Sequence, residues 1–554
     1  MKNVSKIVAS ALAVATVATV AMSSIAASAA TPTDTLLDTS KKVNITMKCD
    51  KPGYTFEVYK VASLDTNNST PYQTKYTPLV TALEDKETSA IFNNLKNGID
   101  QGNSQKLLAA LDKATLKKVD TDELVNPVAT FGPTSESTTS ATTSQLDQGI
   151  YYIKAVNFPA GVQWVRNSVV ALPYYDNNAT NKGWTYSIDD IELATKVEDK
   201  DITTKKTITG TTSVNNLPAN HTTEYADVGI GDTVNFEIRS TVTGGKSRVV
   251  KDNEGEDYVT DDMKLNSYLV TDDMSKGLSL NKDSIKVALL AENGTKISDL
   301  APSDFTVTYD QGFNGTDATK NTKFTVALTK TFLQKNTFYE SDVYYTSITY
   351  SAVLNENATR GPKGNPNTEG KIQYSNKNDV TVSHEGNTVY VYTYGITNDK
   401  KDPENKALAN AEFKLFLTKE DAENLRNAIA TGISDTNGKV AYKTADNKEI
   451  ALQSGKYYVV ETKAPKGYNL YGKVIEVDLS ATYNTTFTNN TWVKTCANGN
   501  TGIANFSVTD TKLVAPKTGG YGNTIAYIGG GLLVLAGVAG GVAVIIRKKK
   551  SDKA

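Results

Sequence analysis

Only two cysteines, Cys49 and Cys496, and only two histidines, His221 and His384, occur in 554 residues. Two cysteines in opposite halves of the chain do not make the disulfide framework of a small exported domain, and a bridge between them would need the two ends to meet. Both are expected free or buried, with a bridge to another molecule as the minor alternative. The histidines have no metal-ligand spacing, and the serine-rich stretches contain no Gly-x-Ser-x-Gly elbow, so the common zinc and serine-hydrolase arrangements are missing. Adjacent carboxylates at Asp189-Asp190 and Asp261-Asp262 read as solvated turns. A formal net charge of -2 leaves no excess of positive charge to attract nucleic acid. The expectation is a protein that is not an enzyme, with no metal and no cofactor.

Long apolar runs are also missing, except at the two ends. Lys2 and Lys6 precede an apolar run at residues 7–25 and then Ala27-Ser28-Ala29, the charge, core and small-residue order of a secretory signal peptide spanning 1–29. At the far end, Ala515-Pro516-Lys517-Thr518-Gly519-Gly520 stands before a second run at 525–546, closed by Arg547-Lys548-Lys549-Lys550. That run is long enough to cross a bilayer, and its basic tail favours the cytoplasmic side. Residues 513–554 are therefore expected to retain the chain transiently in the membrane; an ordinary single-span anchor is the alternative. The Pro-Lys-Thr-Gly block resembles the sortase sorting signal, Leu-Pro-x-Thr-Gly in its commonest form, with Ala515 where Leu is usual. The resemblance implies cleavage between Thr518 and Gly519 and transfer of the Thr518 acyl group to an amine.

Helix-forming runs are few, whereas the chain has 29 tyrosines and many threonines and asparagines, a composition suited to half-exposed β-strands. The body between the two ends is long enough for about three domains. The first, 30–195, opens on Val43-Asn44-Ile45-Thr46-Met47 and Tyr54-Thr55-Phe56-Glu57-Val58-Tyr59, which alternate as strands should. A helix is expected at 104–116, with Leu107, Leu108 and Leu111 on one face, before strands return at 149–153 and 168–173. The second, 196–390, includes Val234-Asn235-Phe236-Glu237-Ile238 and Phe324-Thr325-Val326-Ala327-Leu328, separated by Gly, Asn and Asp turns. The third, 391–512, includes Ala411-Glu412-Phe413-Lys414-Leu415-Phe416, a short helix at 419–431 and Tyr457-Tyr458-Val459-Val460-Glu461. Short strands without a βαβ rhythm predict a mainly β chain of tandem immunoglobulin-like sandwiches in a rod.

After Trp184 comes Ile191-Glu192-Leu193-Ala194-Thr195-Lys196. This resembles the pilin motif of Gram-positive major pilins, a Trp followed by Val-x-Val-Tyr-Pro-Lys, with Ala194-Thr195 in place of Tyr-Pro. The resemblance implies that Lys196 is the amine that receives the Thr518 acyl group of another copy. The bland alternative is one more solvated lysine in a charged linker.

In the third module, Tyr457-x-Val459-x-Glu461-Thr462-x-Ala464-Pro465-x-Gly467-Tyr468 resembles the E-box of collagen-adhesin B-type pilin domains. By that resemblance Lys400 on the first strand is joined to Asp510 on the last, in Val508-Thr509-Asp510, with loss of water and with help from Glu461. The chemistry requires burial, which favours a neutral amine and a protonated Glu461. A protonated carboxyl then polarises the target carbonyl and moves the proton. The second module resembles the fimbrial isopeptide-forming domain, where lysine, aspartate and asparagine combine with loss of ammonia. The matching residues are Lys206, Asp272 and Asn376, with Lys205 and Asp273 as alternative members. Without an enclosing core, both sets are ordinary surface charges and a turn residue. A bond from first to last strand closes nearly a whole domain, and by analogy with a disulfide its denatured-state term reaches ~4–5 kcal/mol. It also carries pulling force past the strand pairs.

Taken together, these resemblances imply the major structural subunit of a sortase-assembled pilus, secreted and covalently attached to the cell wall, with a monomeric wall-anchored adhesin or an accessory pilin as the alternative. The implied partners are a class C pilus sortase, a housekeeping sortase, other copies of the chain, accessory pilins and peptidoglycan. No adhesion ligand is legible in the sequence.

Overall fold

The computed structural model describes residues 37–69, 74–92, 101–132, 138–159, 162, 164–176, 183–186, 193–194, 197–198, 202–242, 250–251, 257–258, 260, 264–310, 321–340, 342–375 and 381–514. The expected signal peptide, Lys196, Asn376, the Thr518-Gly519 pair and the C-terminal apolar run lie outside the described residues. No helix among the described residues is long and apolar enough to cross a membrane. The chain is mainly β. It divides into two compact units, one ending at Tyr392 except for Arg360–Pro362, the other formed by those three residues and the chain from Thr393 onward. Cys49 and Cys496 are both half-buried, one in each unit.

The first unit contains two groups of sheets, and no described strand at 37–198 pairs with one at 204–392. In the first group, β1 (Thr46–Lys48) lies between Ser140–Thr142 and Leu193–Ala194. Strands β2 (Thr55–Leu64), β3 (Gly149–Asn157) and β4 (Ser168–Leu172) pair in that order within a five-stranded sheet. Because side chains alternate along a strand, this sheet has two different apolar faces. Phe56, Val58, Tyr151 and Ile153 pack with Val43, Ile45 and Met47 on one side. Val61, Ile150, Tyr152 and Val169 pack on the other against Leu107, Leu108 and Leu111, which line one face of α1 (Gln101–Lys113). The helix starts three residues earlier than its apolar pattern suggests, as helix boundaries often do.

The second group is a sandwich. One sheet of five strands orders β5 (Thr204–Thr212), β6 (Thr233–Thr241), β10 (Tyr345–Leu354), β8 (Leu278–Leu290) and the edge strand Lys296–Asp299. The facing sheet runs from Tyr225–Asp227 through β12 (Val389–Tyr392), β11 (Asn365–Ser375), β7 (Ser267–Met274) and β9 (Thr322–Leu328) to Phe305–Tyr309. Alternation is strict where it matters: Val234, Phe236 and Ile238 of β6 are buried, as are Tyr268, Val270 and Met274 of β7.

The second unit is built on a seven-stranded sheet in the order β18 (Ile475–Asp478), β17 (Lys456–Lys463), β14 (Glu412–Phe416), β15 (Ala430–Ser434), β16 (Lys439–Lys443), β13 (Gly395–Lys401) and β19 (Ile503–Thr509). The first and last of these in sequence, β13 and β19, run parallel with Lys400 opposite Val508. The loop after β17 binds the chain just past β19, through Asn469 N–H to the Thr511 carbonyl and Leu513 N–H to the Gly467 carbonyl, each at 2.9 Å. The sheet is thus folded so that its far strands approach. The expected helix at 419–431 is shorter, Lys419–Glu423, capped by the Thr418 hydroxyl, which accepts from Asp421 N–H.

One turn in this unit needs glycine. Gly438 has φ +76, and a Cβ there would lie 2.3 Å from the Lys400 carbonyl oxygen, while Lys400 N–H donates to the Gly438 carbonyl at 2.6 Å. Gly438→Ala is expected to destabilise the unit by about 1–3 kcal/mol through left-handed backbone strain, with further loss from the clash. Calorimetry of the purified protein checks this, and an unchanged transition would show that the turn tolerates a side chain.

Candidate functional site

Two lysines occupy positions that strand alternation reserves for apolar side chains. On β5, Lys206 and Ile208 point inward and Lys205 outward. On β13, Ile396, Asn398 and Lys400 point inward. Both lysines are within 1% of complete burial, where an uncompensated charge costs several kcal/mol. Each is compensated by carboxylates that also interrupt an apolar face.

In the sandwich, Asp272 takes the inward position between Val270 and Met274 on β7 and is fully buried. Its Oδ2 lies 2.7 Å from Lys206 Nζ. Lys206 Nζ also donates to Asn367 Oδ1 and to the Thr368 carbonyl, both at 2.6 Å. The lysine backbone is fixed on both sides by the Asn387 amide, at 2.7 and 2.9 Å. Tyr350 of β10 donates to Asp272 Oδ2 at 2.6 Å and accepts from Asn367 Nδ2 at 2.8 Å. Its ring lies 5.2 Å from those of Phe236 and Phe324. Burial pushes the Asp272 carboxyl above its ordinary range, with Lys206 opposing.

Among the described residues the asparagine that meets Lys206 is Asn367, at the start of β11; Asn376 lies outside the described residues. Register brings Asn367 to this end of β7. Met274 pairs with Asn367, whereas Ser375 pairs with Ser267, toward the opposite end of β7; strands rise about 3.3 Å per residue. The amide that reaches Lys206 is thus at the beginning of the long strand β11. The signal for Asn367 is its shared inward phase with Ile372 and Tyr374 after the irregular step near Gly370, which is invisible without the pairing. Of the alternatives, Lys205 is exposed and Asp273 lies on the opposite side of the strand from Asp272.

In the second unit, Lys400, Glu461 and Asp510 converge, all within 2% of complete burial. Glu461 shares the inward face of β17 with Tyr457 and Val459, and Asp510 follows Val508 at the end of β19. Lys400 Nζ is 2.7 Å from Glu461 Oε1 and in a closer ion pair with Asp510 Oδ1. The Phe413 ring centre is 5.7 Å from the same nitrogen. Glu461 Oε2 accepts the Tyr471 N–H at 2.8 Å. Two carboxylates facing one lysine leave a net negative charge, so one carboxyl favours a proton. Burial, reinforced by the Asp510 charge, raises Glu461 above its ordinary value.

The pilin-motif segment is described only beside its lysine. Trp184 is buried edge-on against Tyr175, at 5.4 Å. Leu193–Ala194 pairs with Met47–Lys48, and Val197–Glu198 pairs with Trp164–Val165. Lys196 itself, like Thr518 and Gly519, is outside the described residues. Among the described residues no cluster of three or more His, Cys, Asp or Glu is arranged to hold a metal.

Residues 395–491 match the SpaA family, a prealbumin-like fold domain, a stretch that includes Lys400 and Glu461 and stops before Asp510. The chain is also similar to the trypsin-resistant surface T6 protein of Streptococcus pyogenes serotype M6, at 26% identity over 228 residues, which span 38% of this chain and 37% of that relative. Among solved structures, it resembles the T6 backbone pilin of the same serotype, with 17% identity and a TM-score of 0.44, covering 86% of this chain and all of the other. The major pilin SpaD of Corynebacterium diphtheriae gives 18% identity and a TM-score of 0.41, covering 87% of this chain and all of the other.

The electrostatics of the sandwich yield a pH test. Lys206→Met removes the cation that opposes the rise of the Asp272 carboxyl. A carboxyl whose folded value exceeds its unfolded one stabilises fully below the unfolded value, about 4 for aspartate, and that stability is lost as pH rises through the folded value. Lys206→Met is thus expected to match Lys206→Met/Asp272→Asn in acid and to fall below it toward neutral pH. Thermal melts across that range check this; a constant gap would show that Asp272 does not titrate there.

Proposed function

We propose that this chain is the shaft subunit of a sortase-assembled pilus, with two of its modules closed by internal isopeptide bonds. The observation that carries the proposal is the pair of buried lysine–carboxylate sets, in which Lys206 hydrogen-bonds the Asn367 carbonyl oxygen and Lys400 is ion-paired with the Asp510 carboxyl. Stable ion pairs of this kind are a poor use of a core, but they are the arrangement an amine needs to attack an amide or acid away from water. In the sandwich, the Lys206 amine attacks the Asn367 carbonyl carbon; an amide forms and ammonia leaves. In the second unit, Lys400 attacks Asp510 and water leaves, with Glu461 carrying the proton.

Polymerisation rests on the resemblances at Lys196 and at the Thr518-Gly519 bond. In this reading a class C pilus sortase cuts after Thr518 and passes the acyl group to Lys196 of another copy, and repetition gives a fibre on the Gram-positive cell surface. A housekeeping sortase then joins the base to peptidoglycan, with accessory pilins as further partners. Retention by the C-terminal apolar run precedes this transfer, and the signal peptide precedes both.

Intact-mass measurement of the folded ectodomain is expected to show one ammonia and one water missing. Glu461→Ala restores the water alone and lowers the melting temperature; full mass in the parent protein would remove the internal bonds from the proposal. For assembly, immunoblots of wall extracts are expected to show a high-mass ladder that Lys196→Ala collapses to one band. A ladder that survives points to another acceptor lysine, and the absence of any ladder favours a singly anchored adhesin.

A further inference from the structure

We infer that Tyr350 is a catalytic residue of the sandwich cross-link, delivering the proton that lets the Asn367 nitrogen leave. The inference rests on the reading that Lys206 is joined to Asn367. Ammonia departs from an amide only after its nitrogen has gained a proton, because an amide anion is too basic to leave. The Tyr350 hydroxyl stands where that proton must come from, since it donates to Asp272 Oδ2 at 2.6 Å and accepts from Asn367 Nδ2 at 2.8 Å. Asp272 Oδ2 in turn lies 2.7 Å from the attacking nitrogen. The three groups therefore form a chain from the atom that must lose a proton to the atom that must gain one.

The balance closes. Lys206 reacts as a neutral amine beside an Asp272 that holds the proton the lysine has given up, and its nitrogen forms a bond to Asn367 Cγ. Asp272 passes that proton to Tyr350 as Tyr350 passes its own to Nδ2, and the proton shed by the newly bonded lysine nitrogen returns to Asp272. The Cγ–Nδ2 bond breaks, ammonia leaves, and Asp272 and Tyr350 end as they began. The tyrosine also orients the amide. With Nδ2 held by the phenol oxygen, Oδ1 faces the lysine at 2.6 Å, and the carbonyl carbon is presented to the amine. Burial and the neighbouring Asp272 push the Tyr350 hydroxyl well above its ordinary range, so it keeps its proton until the amide nitrogen needs it. The ring stacks on Phe236 and meets Phe324 edge-on, which fixes the hydroxyl without involving it.

The second unit differs in the expected way. Its leaving group is water, and the group beside the lysine is Glu461, fixed by the Tyr471 backbone rather than by a phenol.

The test is a time course of ammonia loss, read by intact mass on the full-length ectodomain from the moment of harvest. Tyr350→Phe keeps the ring and removes the proton path; it is expected to slow the loss by about 10²-fold, within the usual range for a positioned acid or base. Phe324→Leu loosens the packing around the ring and keeps the hydroxyl, and is expected to react to completion. If Tyr350→Phe loses ammonia as fast as the parent, or if Phe324→Leu stalls equally, the hydroxyl has no role and the inference falls. If the parent itself keeps its ammonia, the cross-link reading fails instead, independently of Tyr350.

Discussion

Two lysines placed on the inward phase of β-strands set the terms for the rest of the structure. Burying an ammonium group is costly enough that its surroundings must answer it, and they do so with carboxylates that also displace core residues. Lys206 calls for Asp272, and Lys400 calls for Glu461 and Asp510. Around each set the wall is aromatic: Phe236, Phe324 and Tyr350 in the sandwich, Phe413 in the second unit. Such walls exclude water and so strengthen every interaction inside. They also leave a carboxyl better off neutral than charged, the state in which it exchanges protons with its neighbours.

The two sets use different topologies for one purpose. In the sandwich, Lys206 belongs to one sheet while Asp272 and Asn367 belong to the facing sheet, so contact between them ties the two layers together. In the second unit all three groups arise from a single folded sheet, and Lys400 and Asp510 come from neighbouring parallel strands. Parallel neighbours have no tight turn between them, which is why the partners are distant in sequence and adjacent in space.

Part of this is legible without the fold. The sequence narrows the sandwich set to Lys205 or Lys206 and Asp272 or Asp273, but only the burial of alternate positions on β5 and β7 picks Lys206 and Asp272. Glu461 is singled out by the E-box resemblance and Asp510 by the last-strand pattern Val508-Thr509-Asp510, and both are buried beside Lys400. The asparagine is not legible, because choosing among Asn365, Asn367 and Asn376 requires the register of β7 against β11, including its irregularity near Thr271. Tyr350 is hidden for a related reason. It lies on an ordinary alternating strand, and only the facing of two sheets turns one more buried tyrosine into a partner of Asp272 and Asn367.

The parallel pairing of β13 with β19 has a further consequence. Lys400 is made early in this unit and Asp510 late, so the site does not exist until the whole segment between them has been synthesised and has taken its place. A chain truncated before Asp510, or one that misplaces any intervening strand, lacks the site. Joined as proposed, the two groups would act as a proofreading latch, since only complete and correctly folded copies could become permanent.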